Sequence, residues 1–323
     1  MEVSKFIKTS FVGVGQIFLQ DNGWAGVLIT IGMFFSHWAL GVTCILGAVI
    51  GTLTAKVLKY KEEDILFGLY GFNGSLAFMC AIFTYGLVDA SSPIVWIIGA
   101  VSAIVSTIIM NIFVKNGKVA FTFPFVVTCW VTCWGFSHFG VMGLVQTTPA
   151  LPDYTSTLAA IQSPFFAWAE VNFGANLITG ILIFLAIAIS NPAAAMYATA
   201  AATIGALFAH YILGIDVNTL ANGIYGFSPI LVACTFVGPK IADFIYVIIG
   251  TLLAVLIHYA VSQVMATYTI GFIVASWIML FVKASIDKSN PDTTKLVRMM
   301  NPSHKRDRIK NKNKYNSGIY LIS

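Results

Sequence analysis

Two nearly matching glycine-rich breaks, half a chain apart, constrain this sequence more than any other feature. Gly68-Leu69-Tyr70-Gly71-Phe72-Asn73-Gly74-Ser75-Leu76 returns as Gly223-Ile224-Tyr225-Gly226-Phe227-Ser228-Pro229-Ile230-Leu231, 155 positions later. A period that long points to a duplicated domain, not to a solenoid of small units. The surroundings are apolar: of 323 residues 58% are hydrophobic and only 10% charged, against roughly 25% charged in soluble domains. The chain reads as an all-α polytopic membrane protein, with room for about ten spans of roughly 20 residues. Within a bilayer, irregular backbone persists only where protein buries it or where it lines a cavity. Two such breaks in corresponding positions are therefore the best pointer to a transport site.

The duplication extends beyond the breaks. Phe11, Gln16, Asn22 and Gly26 meet Phe165, Glu170, Asn176 and Gly180 at a constant offset of 154. Ser36 meets Ser190, and Ile50-Gly51 meets Ile204-Gly205. A third echo sets Thr122-Phe123-Pro124-Phe125 against Thr269-Ile270-Gly271-Phe272, after which Trp130 meets Trp277. The division this gives is a first repeat over 1–150, a second over 151–282 and a tail over 283–323. Apolar runs at Gly26–Leu58, Pro93–Val114, Leu177–Ile189 and Ile241–Ala266 are expected to span, some as two tightly joined helices.

Charge separates body from tail. Residues 283–323 carry ten Lys/Arg and three Asp, while the first 282 hold eight Lys, no Arg and ten acids. A basic tail belongs on the cytoplasmic side of a cell membrane, beside anionic lipid headgroups; nucleic acid is not expected as a partner. Residues 119–239 lack Lys and Arg, which places the loop near Thr147–Gln162 outside, and the tail beyond Ser285 is expected to be disordered alone. No removable signal peptide is expected at the N-terminus. Cys44, Cys80, Cys129, Cys133 and Cys234 lie in apolar runs and read as packing thiols, with no disulfide, metal or cofactor implied. No P-loop, nucleophile elbow or metalloprotease motif is present, so no enzyme is expected.

Among polar residues, Glu170 is the one acid expected deep in apolar surroundings, within Ala167-Trp168-Ala169-Glu170-Val171-Asn172-Phe173. An ionisable group at that depth costs about 2.5–3.5 kcal/mol on insertion scales and marks function by default. Its repeat partner is Gln16, so the pair supplies carboxylate and amide oxygens as acceptors and one amide donor. Phe72 and Phe227 stand at identical places in the two breaks. Facing each other, they would make a slot for a flat solute, continued by Leu76 and Leu231.

Taken together, Gly13-Val14-Gly15-Gln16 with Asn22, the Gly68–Gly74 break and Thr122-Phe123-Pro124-Phe125 resemble the urea transporter family in its bacterial form. The resemblance covers nearly all of residues 5–282. It implies two inverted repeats, each of about five transmembrane helices plus a tilted re-entrant helix, around a continuous pore. It implies a homotrimer in the inner (plasma) membrane, multi-pass, passing urea down its gradient without ion or nucleotide coupling. Carried over by position, Gln16 and Glu170 match acceptor residues of the pore helices, Phe72 and Phe227 the ring slot, and Phe173 a further pore aromatic. Leu19 stands where the family has an aromatic, and the mid-pore hydroxyls fall near Thr128, Cys129 and Ser276, with Thr128 opposite Ala275. The rival reading is a proton-coupled transporter of urea or a short amide, with Glu170 carrying the proton.

Overall fold

The computed structural model describes residues 2–147 and 157–289, and every regular element among them is helical. The first half runs α1 (Val3–Gln16), α2 (Gly23–Ser36), α3 (Trp38–Val57), α4 (Glu62–Leu66), α5 (Gly71–Tyr85), α6 (Pro93–Lys115) and α7 (Phe123–Cys129). A π-helical segment, Trp130–Gly135, leads on to the short α8 (Phe136–His138). The second half runs α9 (Thr157–Glu170), α10 (Leu177–Ser190), α11 (Pro192–Leu213), α12 (Val217–Ala221), α13 (Phe227–Phe236), α14 (Ile241–Ser262) and α15 (Ile270–Ser289). Helices α3, α6, α11 and α14 are long and apolar enough to cross a membrane; α2, α10, α13 and α15 are shorter apolar helices. The chain is a helical membrane protein. Most of the loop expected outside and nearly all of the basic tail lie outside the described residues.

Local chemistry starts these helices at matching places. The Asn22 side chain accepts from the backbone N–H groups of Trp24 and Ala25, at 3.0 and 3.5 Å. Asn176 accepts likewise from Ile178 and Thr179, at 2.8 and 3.4 Å. Each satisfies orphan donors that a helix start would otherwise expose to lipid. His37 caps α3 through Ala39 N at 3.2 Å, and Asn191, 154 positions on, caps α11 through Ala194 N at 3.2 Å. At His37 the backbone is extended (φ −164°, ψ 138°), which divides the expected Gly26–Leu58 run into α2 and α3.

Two pairs of glycines allow backbones to meet. A Cβ on Gly26 or Gly180 would overlap the carbonyl oxygen of Phe11 or Phe165, so α1 crosses α2 as α9 crosses α10. Gly68 and Gly223 open the two breaks at φ +80° and +81°, a conformation costly for any residue with a Cβ. Between the halves α2 packs on α10, where the Thr179 hydroxyl donates to Gly32 O at 2.7 Å.

Polarity is distributed as lipid requires. Large apolar side chains such as Ile97, Ile112, Met196 and Phe281 face outward, while Ser102, Ser106, Thr107, Asn73 and Thr251 are buried. Small residues line the close crossings, as where helix packing has no hydrophobic drive of its own. Ala194, Ala195, Ala198, Ala201 and Ala202 give α11 such a face.

Candidate functional site

Helices α1 and α9 end alike. Gln16 and Glu170 are their last residues, and three positions later Leu19 (φ 59°) and Phe173 (φ 64°) both adopt a left-handed backbone. A side chain held there costs about 1–3 kcal/mol, so surrounding structure must fix both turns. Gln16 is buried and its amide nitrogen donates to Phe67 O at 2.9 Å. The amide oxygen meets no donor among the described residues. Glu170 is half-buried although Trp168, Ala169 and Val171 around it are fully so. Its carboxylate has no hydrogen-bond partner among the described residues either.

A narrow cavity lies at the end of α1, lined by Gln16, Leu19, Phe72, Met110, Phe121, Thr122 and Phe272 among others. Some 20 Å³ of it is open to the centre of a water-sized sphere, room for about one water and too tight for a hydrated solute. Beside it the two halves touch in reciprocal pairs. Trp130 donates its indole N–H to Ala266 O at 2.8 Å, and Trp277 donates to Val119 O at 2.9 Å. The Phe121 and Phe272 rings are 4.9 Å apart, and the Tyr268 and Phe125 rings 5.5 Å. Every member of one pair lies 147 positions from its counterpart in the other. At the centre the hydroxyls of Thr122 and Thr269 meet at 2.6 Å.

On the far side of that hydroxyl pair, Phe173 takes the place that Leu19 has in the cavity. Its ring centroid lies 5.1 Å from Phe83, 6.0 Å from Phe125 and 6.5 Å from Tyr268. Two aromatic clusters therefore flank one pair of threonines, with Gln16 at one and the Glu170–Phe173 turn at the other.

The expected site residues divide. Gln16, Leu19 and Phe72 come together in the cavity. Phe227 packs edge-on against His258, at 5.3 Å, and no ring contact joins it to Phe72 among the described residues. Leu76 and Leu231 are wholly buried in the core and do not line the cavity. Thr128 turns its hydroxyl onto Pro124 O at 2.7 Å, Cys129 lies among other thiols, and the buried Ser276 hydroxyl has no partner among the described residues. Glu170 is not alone as a sheltered acid: Asp64 and Asp243 are more fully buried, the latter with Lys283 at 3.9 Å. Both sit at helix starts, where flanking lysines hid their depth. Phe121, Thr122, Tyr268, Thr269 and Phe272 were not expected at the site. The repeated Thr-x-x-Phe segment, with the aromatic residue just before it, was their signal, though it had served only as a register mark and as part of the resemblance.

The profile of the family described as "Urea transporter" matches residues 7–284, across both halves. The chain belongs to the urea transporter family. It is 27% identical over 252 residues to "Urea transporter 1" of Rattus norvegicus, covering 73% of this chain and 64% of the rat protein. Identity to the proteins of the same name from Ovis aries and Mus musculus is 26%, over 249 and 252 residues, covering 72% and 73% of this chain and 63% and 64% of those proteins. The chain thus spans just under two thirds of the length of these relatives. The family is one of transporters, not enzymes.

Proposed function

We propose that the chain conducts urea passively across a cell membrane, through a pore between two inverted repeats at 1–150 and 151–282. The observation that carries this reading is the pair of aromatic clusters on either side of Thr122 and Thr269, in a chain of the urea transporter family. Reciprocal contacts of this kind arise when two copies face each other across a two-fold axis. They support placing that axis between the threonines.

Urea is planar and uncharged, with four N–H donors and one carbonyl acceptor. Phe72, Phe121 and Phe272 cover its faces on one side of the threonines, and Phe173, Phe125 and Tyr268 on the other. Gln16 and Glu170 offer in-plane acceptor oxygens in place of lost water, as selective pores do. Leu19 keeps the first cluster apolar, so a hydrated ion finds nothing to replace its shell. Subunits assemble as a homotrimer, each with its own pore, in an inner membrane with the basic tail in the cytoplasm.

The threonine pair gives the test. Thr122→Val and Thr269→Val each remove a hydroxyl at the narrowest point. With about 1.4 kcal/mol added to the barrier, urea efflux from proteoliposomes falls about tenfold, and Thr122→Ser retains it. Equal flux through the valine and wild-type proteins would move the path elsewhere.

A further inference from the structure

Three of the five cysteines converge. Cys80 in α5, Cys129 at the end of α7 and Cys133 in the π-helical segment are buried, with their sulfur atoms within 4.8 Å of one another. We propose that these thiols form a binding site for a soft monovalent cation of the copper(I) class, set behind the wall of the solute path.

Geometry makes room for such an ion. Metal–sulfur bonds of about 2.3 Å put the three sulfurs of a trigonal site about 4 Å apart, a small contraction from the spacing seen. No histidine or carboxylate joins the cluster among the described residues. An all-sulfur donor set selects soft ions. Structural zinc almost always takes four ligands, and only three are offered. The apolar surroundings also favour a single charge, because desolvating a divalent ion costs about four times as much on a charge-squared scale. A monovalent ion displaces one thiol proton, forming one thiolate–metal bond, while the other two thiols donate lone pairs. The site is then neutral, and the proton leaves toward the solute path.

Neighbouring groups hold the sulfurs in place. The Thr84 hydroxyl is 4.0 Å from the Cys80 sulfur, and the Thr132 hydroxyl 3.8 Å from that of Cys133. Tyr85 donates to Cys133 O at 2.6 Å, anchoring a π-helical turn of the kind often found at functional sites. Tyr268 donates to Cys129 O at 3.4 Å while its ring meets Phe173 edge-on, which puts the cluster one residue behind the second aromatic group. This binding does not depend on the solute being urea.

The test titrates the purified full-length protein with copper(I), anaerobically, in competition with the chromophoric chelator bicinchoninate. Wild type, Cys44→Ser and Cys234→Ser are expected to withdraw one equivalent per chain. Cys80→Ala and Cys133→Ala should each weaken uptake by at least about tenfold. Uptake that persists in the Cys80→Ala/Cys129→Ala/Cys133→Ala protein, that falls equally in Cys44→Ser, or that is absent from folded wild type overturns the site. Should the alanine proteins not fold, X-ray absorption at the copper edge of the wild type decides. Three sulfur neighbours support the proposal; fewer, or nitrogen and oxygen neighbours, contradict it.

Discussion

Asn73 and Ser228 occupy one register position, yet only the longer side chain ties its break to the centre of the molecule. Asn73 donates to Phe121 O at 3.3 Å and accepts from Phe125 N at 3.0 Å, bracketing Thr122. The Ser228 hydroxyl is buried without a partner among the described residues. Asn73→Ser is therefore expected to lower stability by about 1–3 kcal/mol, the cost of leaving buried backbone groups unpaired, read as a lower Tm in detergent. Gln16 and Glu170 differ in a comparable way. Gln16 spends its donor on Phe67 O and keeps an oxygen without a partner among the described residues, whereas an ionised Glu170 would have acceptors alone. If Glu170 acts as an acceptor, Glu170→Gln keeps urea efflux within about threefold of wild type, whereas Glu170→Leu, losing one hydrogen bond in the barrier, cuts it about tenfold. Stopped-flow light scattering measures both. A Glu170→Gln protein as slow as Glu170→Leu would favour a proton-carrying role.

Among the elements, Trp130 of the π-helical segment bonds the connection before α15, and Trp277 of α15 bonds the connection before α7, so the two bonds mirror one another and allow a test of the two-fold relation itself. Trp130→Phe and Trp277→Phe each delete one indole N–H bond to a carbonyl of the opposite half. Each is expected to cost about 1 kcal/mol and to lower Tm by about 2–4 °C, nearly equally. A large effect from one and none from the other would contradict equivalent halves. Part of this was legible in the sequence: the Tyr-Gly-Phe breaks stand at the starts of α5 and α13, whereas Asn22 and Asn176 stood out only as matching register positions, and their capping of α2 and α10 emerges from the structure. What was not legible follows from the lipid setting. Helices apolar on all sides give no periodic signal, so the break at His37 and the π-helical turn at Trp130–Gly135 left no trace in hydropathy. The convergence of Cys80 with Cys129 and Cys133 depends on tertiary packing that spacing alone does not encode. Of the three expected residues that line the cavity, Gln16 and Phe72 stood out through the duplication and Leu19 only through the resemblance. Thr128 drew attention as a mid-pore hydroxyl; it lies six residues beyond Thr122 and bonds its own helix.

At the scale of the whole molecule, an apolar exterior, the proposed duplicated fold and a narrow polar centre would form one passive path. A path of that kind has no second state to couple urea to another gradient. The direct measurement is stopped-flow urea efflux from proteoliposomes, repeated under imposed proton and sodium gradients, with a steady-state assay for accumulation. Passive conduction predicts fast flux, insensitive to both gradients, that stops when inside and outside urea concentrations are equal. Accumulation of urea against its own gradient while protons flow inward would contradict it and make Glu170 a coupling site.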